Sequence, residues 1–540
     1  MRVKAWLASS LVRVTVVLAL IAGVGLAVVP HYGISWDEEA TLGVVDVNYQ
    51  LVTQRGDPND HRQYHRQYYG TWFNVAAEVV FKGQQAVGLA ADNGEDERIV
   101  LLAQLRSKHV FTFLISLVTY GAVAGLVGMV AGWEFCWIGP VVLWLMPRFW
   151  GNSFFNPKDI PLAAMFALGT WMGACLIQQF SETGRKQSIG ANRTTGYSLL
   201  FGLLVGFVAG TRIDSSVLAL YVVLVDVVLQ LLEGRSFRQI LRFAQFYGLM
   251  LVTAALTIFA LYPAAWVNPL DWYFAAFNFY YKENWPHTVL FKGVDVPADS
   301  LPWDYLPTWI AIATPAAILL FFGVGVLVAI VKYRGLSAGR KAGLLLVGLQ
   351  IFGLPLFAIA YRATLFDSLR QVLYVLPGMA AVAGMAIAWV YQFLRSRATR
   401  LAFVGLLVAL ALPIAMDMAE LHPYEYAYFN RVFGGLPAAE GRFDTDYWGV
   451  SMADSAMWIN NQSVELLVSS APTISAELFA PNSKDIVSYG DFEEDKLGSR
   501  SSFYYLSLPR WGFDRRFPNC SIAYSTERQQ ISLARVKKCS

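Results

Sequence analysis

Long apolar runs recur from residue 10 to residue 418 and determine the architecture that the sequence predicts. A helix needs roughly 20 apolar residues to cross a hydrocarbon core of about 30 Å. Two runs, 134–148 and 197–211, are shorter, and such helices are either tilted or broken into half-helices buried in protein. We predict an α-helical polytopic membrane protein with about eleven transmembrane helices, at 10–29, 108–131, 134–148, 160–180, 197–211, 214–232, 243–262, 308–331, 343–361, 371–391 and 400–418.

Basic residues favour one side of these helices, which predicts the orientation. With the N-terminus in the cytoplasm, every inward loop of any length is basic, as the positive-inside rule requires. The odd number of helices then places the C-terminal tail of this multi-pass cell-membrane protein outside the cytoplasm. The basic residues of the inward loops are Arg185, Lys186, Arg193, Arg235, Arg238, Arg242, Lys332, Arg334, Arg340, Lys341, Arg395, Arg397 and Arg400.

The outward segments are unlike short linkers. The first outward loop, 30–107, is long for a connection and contains two helical-looking stretches. A later outward loop, 264–307, is rich in Trp, Tyr, Phe and Pro. From residue 420 the hydropathy drops and short β-type runs appear. We therefore predict a membrane domain over 1–419 and a small mixed α/β domain over 420–540.

The tail also holds two of the four cysteines, Cys520 and Cys539. Both lie outside the cytoplasm in this topology, where disulfides persist. A bond between them closes a loop of about 20 residues, stabilises by on the order of 3 kcal/mol and pins the final strand, 531–536. The alternative is a frayed, free Cys539. The tail helix is expected at 451–460, and the other strands at 464–468, 502–508 and 521–524.

Composition agrees with a membrane protein and bears on partners. The chain is 56% hydrophobic and 15% charged, whereas soluble domains carry about 25% charged residues. A net charge of +3 is too small to indicate a nucleic-acid partner. His31, His61 and His65 fit no standard zinc spacing, so we expect neither a required metal nor another cofactor.

An acidic string follows the first apolar run, in GISWDEE at 33–39. Three successive carboxylates at a membrane surface are costly unless they are solvated, paired or used. One interpretation is a helix N-terminus, with Ser35 as its cap and the acids at the positive end of the dipole. The other is a functional pair, Asp37 and Glu38, beside the membrane.

A second cluster lies in the outward turn that contains PRFW at 147–150 and NPKDIP at 156–161. Asn-Pro is a turn signal, so one interpretation is a capped turn with solvated charges. However, Arg148, Lys158 and Asp159 share this one short turn. Cations clustered beside a carboxylate suit a substrate that has a phosphate leaving group.

Further candidates are outward aromatic and basic residues. Tyrosines beside Gly70 suit sugar stacking, although an interfacial belt is their more common role. Arginines in outward loops are exceptions to the bias of basic residues toward the inward loops. Binding of an anionic phosphate would explain their presence there. The histidine at 422 opens an aromatic string that could equally be an interfacial platform. These candidates are Tyr68, Tyr69, Arg212, Arg362, Arg370 and His422.

Together these motifs resemble the GT-C superfamily of membrane glycosyltransferases, in particular its bacterial protein O-mannosyltransferase-like and aminoarabinose transferase-like members (family 39 type). That family carries an Asp-Glu pair directly after the first helix, which Asp37 and Glu38 match. It also carries a second acidic residue between the third and fourth helices, which Asp159 matches by position. One departure is RQYYG at 66–70, where relatives often carry Lys-Pro-Pro.

The resemblance implies an inverting transfer of a sugar from a polyprenyl-phosphate carrier to an extracytoplasmic protein, lipid or polysaccharide. Because the lipid donor cannot leave the bilayer, the site must lie at the membrane surface. Asp37 is the expected base, and Asp159 positions donor or acceptor. The leaving phosphate needs cations, for which the candidates are Arg148, Lys158, Arg212, Arg362 and Arg370.

Two other classes of function remain open from the sequence. A transporter or flippase also has many helices, but its polar site would lie near the midplane of the membrane. A structural or assembly protein would use its tail to bind a partner, and its outward loops would form no shared pocket. The position and clustering of the charged side chains separate these alternatives.

Overall fold

Most of the chain folds into apolar helices, as the hydrophobic runs predict. The computed structural model describes residues 2–53, 66–92, 94–186, 191–235, 240–241, 243–282, 285–492 and 502–539. Within these ranges, nine helices are long and apolar enough to cross a membrane. The helices are α1 (Arg2–Val28), α2 (Trp36–Thr53), α3 (Thr71–Ala86), α4 (Glu97–Ala131), α5 (Ile138–Trp144), α6 (Pro147–Phe155), α7 (Asp159–Lys186), α8 (Ala191–Ala209), α9 (Val217–Leu232), α10 (Ala244–Leu261), α11 (Pro269–Lys282), α12 (Tyr305–Ala313), α13 (Ala316–Lys332), α14 (Ala338–Ala360), α15 (Val375–Phe393), α16 (Arg397–Leu421), α17 (Met452–Asn460) and α18 (Ile474–Phe479).

The two short runs fold in different ways. The run 134–148 is not a single helix: it is divided between α5 and α6, which are short and largely buried. Pro147 begins α6, where its missing N–H leaves no hydrogen bond unmade. The run 197–211 instead belongs to one continuous helix, α8, which packs against α7 and α10. A break also divides the run 308–331, because α12 ends at Ala313 and α13 begins after Pro315.

In the first loop predicted to face outward, α2 and α3 fold against the helix bundle. One face of α3 is buried at Phe73, Ala77 and Phe81, while Val75 and Val79 are exposed. This amphipathic pattern fits a helix that covers a protein surface on one side only. The later outward loop contributes α11 and an antiparallel hairpin of two strands, β1 (Thr288–Phe291) and β2 (Val294–Pro297).

The tail forms the predicted small mixed α/β fold. Its sheet has the order β4-β3-β5-β7-β6; β3 pairs in parallel with β4 and β5, and β7 pairs antiparallel with β5 and β6. A core of its own begins at Met452. The preceding stretch, 424–450, instead packs into the large core shared with the membrane helices. The strands are β3 (Leu466–Ser469), β4 (Asp485–Ser488), β5 (Phe503–Ser507), β6 (Ser521–Arg528) and β7 (Ile531–Cys539).

The predicted disulfide between Cys520 and Cys539 is confirmed. It joins the start of β6 to the end of β7, where Ser521 pairs with Lys538. We expect Cys520→Ser to lower the free energy of unfolding of the tail by about 3 kcal/mol, because the open chain gains conformational entropy. Denaturant titration of the two proteins, followed by a probe on the tail, measures this change.

Labelling with a membrane-impermeant maleimide checks the same bond. With the outer face denatured, wild-type protein should react in the tail only after reduction, whereas Cys520→Ser leaves Cys539, which is buried in the folded tail, free to react without reductant. Labelling of wild-type tail cysteines before reduction would contradict the bond in solution. Protection of the tail even after reduction and denaturation of the outer face would contradict its outward placement.

Candidate active site

Three segments that are distant in sequence meet at the carboxylate of Asp37. This residue stands in the first turn of α2, and its Oδ2 accepts a hydrogen bond from Arg370 Nη1 at 2.6 Å. The same oxygen accepts a second bond from Lys158 Nζ at 3.1 Å. Lys158 immediately precedes α7, and Arg370 lies shortly before α15. The acidic string, the Asn-Pro turn and one outward arginine therefore form one charged cluster.

Local structure in the Asn-Pro turn aims Lys158 at this cluster. Asn156 Oδ1 accepts the backbone N–H of Asp159 at 2.9 Å and that of Lys158 at 3.2 Å. This arrangement is an Asx turn, the local bond that short polar side chains make at helix starts. Tyr69 lies on the other side of the lysine, with Nζ 4.2 Å from its ring centroid. The ammonium is thus held between a carboxylate and an aromatic face.

Each charged group in the cluster stabilises the ionised form of its neighbours. Burial raises the pKa of Asp37, but Lys158 and Arg370 outweigh it and hold the pKa well below its ordinary value. Burial lowers the pKa of both cations, but their neighbours, Asp37 foremost, together raise it above the ordinary value in each. All three groups are therefore ionised at neutral pH. Asp37 is in its basic form, but as a weak base while both cations hold it.

An open cavity lies beside this cluster at one end of the membrane helices. It is reached by the starts of α7 and α15, the end of α14 and the turn between α8 and α9. Residues from both outward loops also line it, so the loops form a shared pocket. Five of the predicted site residues contribute to this cavity, which is called the donor-side cavity after the role proposed for it below, namely Tyr69, Lys158, Asp159, Arg212 and Arg370.

Arg212 enters the cavity wall as a fixed cation. Its guanidinium makes a two-pronged contact with Asp214, at 2.9 and 2.8 Å, and Nη1 donates to the carbonyl of Gln371 at 2.7 Å. The rings of Tyr280 and Tyr374 lie 5.7 and 5.8 Å from it. A bidentate arginine–carboxylate pair holds its geometry well. The position of the Arg212 guanidinium therefore does not depend on a ligand.

Glu38 points away from Asp37, into the protein. Its Oε2 accepts the backbone N–H of Ser35 at 2.6 Å, which forms half of a capping box at the start of α2. Its other oxygen lies 2.6 Å from His109 Nε2, and both side chains are buried. Asp159 does face the cavity, where Oδ2 accepts a bond from Asn156 Nδ2 at 2.9 Å.

Arg148 lies outside the cavity, in the core beneath the tail. Its Nε donates to the carbonyl of Tyr428 at 2.9 Å, and Nη1 donates to Ser368 Oγ at 3.0 Å. The rings of Trp309 and Phe429 flank it at 5.1 and 4.9 Å. Arg148 thus supports the segment 361–370 that carries Arg370.

Three other predicted residues are also placed elsewhere. Tyr68 is buried in an aromatic cluster, where its ring stacks on Phe279. His422 lies at the start of the tail, with Nε2 2.7 Å from His31 Nδ1. Arg362 lines an outer cavity that shares part of its wall with the donor-side cavity. The shared wall consists of Ala358, Ala363 and Leu365.

Solved structures provide a match for this architecture. ArnT from Cupriavidus metallidurans, in a crystal structure bound to undecaprenyl phosphate, aligns with 97% of this chain and 97% of its own, at 14% identity and a TM-score of 0.50. The chain has the ArnT fold. The fold that the sequence resemblance implies is thereby confirmed.

A more distant likeness lies in the archaeal oligosaccharyltransferase AglB from Archaeoglobus fulgidus. It aligns with 86% of this chain and 63% of its own, at 11% identity and a TM-score of 0.46. No protein-family model matches the chain, and no curated protein sequence matches it. At these identities the likeness extends to the fold alone.

Two charged residues of this ArnT-fold site, Asp367 and Arg510, are not predicted from the sequence. Asp367 pairs with Arg370 at 3.0 Å and also with Arg510 from the tail. Asp367 stands in the outward turn that already drew attention through its arginines. Arg510 has no local signal, because its partner lies 143 positions earlier.

The arrangement of possible metal ligands is relevant to the expectation that no metal is required. In the part of the chain that the structure describes, no three His, Cys, Asp or Glu side chains are grouped to hold an ion. His31 pairs with His422, while His61 and His65 lie outside the described residues. The expectation therefore stays a prediction.

Proposed function

We propose that this protein is a membrane glycosyltransferase that moves a sugar from a polyprenyl-phosphate carrier to an extracytoplasmic protein, lipid or polysaccharide, with inversion at the anomeric carbon. The observation that carries the proposal is the carboxylate of Asp37 between Lys158 and Arg370, beside a cavity at the ends of membrane helices. The shared fold adds support, because ArnT binds undecaprenyl phosphate.

The cations of the cavity suit the phosphate of such a donor. Lys158, Arg212 and Arg370 line the same space, and anions gain most from arginine and lysine in a partly desolvated site. Arg370 is held at this cavity by ion pairs to Asp37 and Asp367. The lipid tail can stay in the bilayer, because the cavity lies where the helices end.

The chemical step is a single displacement. The hydroxyl oxygen of the acceptor attacks the anomeric carbon from the face opposite the phosphate, and its proton passes to a carboxylate. The bond between the anomeric carbon and the phosphate oxygen breaks, and its electron pair leaves with the phosphate. Asp37 receives the proton, while Lys158, Arg370 and Arg212 stabilise the charge on the leaving group.

Donor binding strengthens Asp37 as a base. In this structure two cations hold its pKa below the ordinary value. A phosphate that draws Lys158 and Arg370 toward itself weakens both contacts and adds a negative charge nearby. Both changes raise the pKa of Asp37, so it accepts a proton more readily once the donor is in place.

The orientation we propose places this site outside the cytoplasm, as an extracytoplasmic acceptor requires. The cavity lies at the starts of α7, α9 and α15 and at the end of α14. The basic loops of the sequence fall at the other ends of these helices. Under the positive-inside rule those ends face the cytoplasm, which puts the N-terminus inside and the tail outside.

The transporter alternative loses support from the position of the charges. The side chains that meet at the cavity stand at helix ends rather than midway along a span. One carboxylate, Asp226, is buried within α9, but it accepts hydrogen bonds from Gln230 and Tyr247. A structural or assembly role also fits poorly, since the outward loops share a cavity.

Transfer by purified protein tests the proposal. Protein in lipid nanodiscs is incubated with a panel of radiolabelled polyprenyl-phosphate sugars and an extract of envelope acceptors, beside Asp37→Asn as a matched inactive control. We expect label to move to an acceptor with one class of donor. Analysis of the new linkage by NMR should show the anomer opposite to that of the donor. Absence of transfer with every donor would favour the transporter instead.

A further inference from the structure

A chain of alternating charges connects the tail to Asp37. Arg370 contacts Asp37 through Nη1 at 2.6 Å and Asp367 through Nη2 at 3.0 Å. The second oxygen of Asp367 is held by Nη2 of Arg510, which stands between β5 and β6 of the tail. The order along the chain is negative, positive, negative, positive. Asp37, Arg370 and Asp367 therefore each have two partners of opposite sign, since Asp37 also pairs with Lys158.

Arg510 is itself tightly fixed. It is 6% exposed, and its Nη1 donates to the carbonyl of Tyr447 at 2.7 Å. Its guanidinium lies 4.3 Å from the ring of Trp511, 5.6 Å from that of Trp285 and 6.0 Å from that of Trp36. An arginine enclosed by aromatic rings has little rotational freedom, so it holds Asp367 in one position.

The segment around Asp367, which Arg510 contacts, has a backbone conformation that requires stabilising contacts. Asp367 and Ser368 both have left-handed backbones, with φ of 57° and 65°. Neighbouring residues other than glycine adopt this conformation only where surrounding contacts fix it. Arg510 of the tail forms an ion pair with Asp367, and Arg148 of α6 donates a hydrogen bond to Ser368. Arg370 follows two residues later.

The tail also contacts the segment that carries Asp37. The backbone N–H of Trp36 donates to the carbonyl of Trp448 at 2.9 Å. Gly33 approaches the tail so closely that a Cβ there would lie 2.5 Å from the carbonyl oxygen of Val450. Both members of the pair formed by Asp37 and Arg370 are thus positioned from the same side.

We infer that Arg510 is a positioning residue of the active site, which acts through Asp367 to hold Arg370 against Asp37, so that the tail is part of the catalytic unit. The inference rests on the proposed transferase function and extends it, since it assigns the tail a role in the reaction. Arg510 does not line the donor-side cavity. Its effect on catalysis passes through the two residues between it and Asp37.

Arg510→Ala tests the inference by activity and by its dependence on pH. We expect kcat/KM to fall by about a hundredfold, the effect of a small misplacement at a catalytic centre. Asp37 faces Lys158 and Arg370, and Asp159 is a like charge near it, while Asp367 lies on the far side of Arg370. A loosened Arg370 lowers the pKa of Asp37 less. The acid limb of the kcat/KM profile should therefore shift to higher pH, because the protonated carboxyl cannot act as a base.

Controls separate positioning from general damage. Arg515→Ala removes an exposed arginine of the same loop and should change neither rate nor pH profile. Arg510→Lys keeps one charge and should retain more activity than Arg510→Ala. Adding Asp367→Asn to Arg510→Ala should cause little further loss, because both changes break the same chain. An unshifted acid limb, or losses that multiply, would overturn the inference.

A second measurement does not depend on transfer. Hydrogen–deuterium exchange of wild-type protein in nanodiscs should show slow exchange in 365–373, and Arg510→Ala should accelerate it while Arg515→Ala does not. Unchanged exchange in Arg510→Ala would overturn the inference whatever the activity. Absence of transfer in the wild type would instead count against the proposed function, so the two failures are distinguishable.

Discussion

Asp37→Asn should abolish sugar transfer without lowering the amount of folded protein in the membrane. Asparagine has nearly the same shape but cannot accept the proton of the acceptor, and loss of a general base costs about 10²- to 10⁴-fold in rate. The same change frees Lys158 and Arg370 from their carboxylate partner. Binding of undecaprenyl phosphate should therefore be as tight as in wild type or tighter, which is measured in nanodiscs by calorimetry.

Two neighbouring carboxylates serve as comparisons for Asp37→Asn. Asp159→Asn should reduce transfer as well, by disturbing a group that lines the cavity. Glu38→Gln should act mainly on stability, because Glu38 caps α2 and pairs with buried His109. If Asp37→Asn kept most of its activity while Glu38→Gln lost it, the assignment of the base would be wrong.

Loss of either cation beside Asp37 should weaken binding of the donor phosphate. A hydrogen bond to a charged group contributes about 1.5–3 kcal/mol, so Lys158→Gln and Arg370→Gln should each reduce affinity for undecaprenyl phosphate by roughly ten- to a hundredfold. Lys292→Gln is the matched control, since Lys292 is an exposed cation of the hairpin that pairs with Asp304. Titration of each variant in nanodiscs gives the affinities.

The same two variants should change the pH dependence of transfer. In wild type the cations lower the pKa of Asp37, so its base form persists down to pH values below the ordinary range of a carboxyl group. Removing one cation raises that pKa, and the acid limb of kcat/KM moves to higher pH. Equal affinities and superimposable pH profiles for Lys158→Gln, Arg370→Gln and wild type would contradict a phosphate site at Asp37.

Much of the fold follows from the sequence because it depends on local signals. Apolar length identifies most of the membrane helices, and alternation of apolar residues identifies most of the tail strands. The run 134–148 was harder to interpret, since apolar character says nothing about where Pro147 divides it. The hairpin at 288–297 gave too short a signal, with Lys292 and Gly293 turning between strands of four residues each.

The candidate site was predictable in part for a similar reason. Asp37, Lys158 and Arg370 stand out as charges beside predicted helix ends, but only the folded chain shows that they touch. Arg148 looks equivalent to Lys158 in sequence, yet the turn of α6 directs it into the core. Glu38 carried a local signal of its structural role, because Ser35 and Glu38 have the spacing of a capping box.

The wall between the two cavities has a pharmacological consequence. Ala358, Ala363 and Leu365 face the donor-side cavity on one side and the outer cavity on the other. A small molecule bound in the outer cavity would contact that wall and the segment leading to Arg370, whereas the proposed donor binds on the other side of the wall. Inhibition from there would be non-competitive with the donor, and raising the donor concentration would not relieve it.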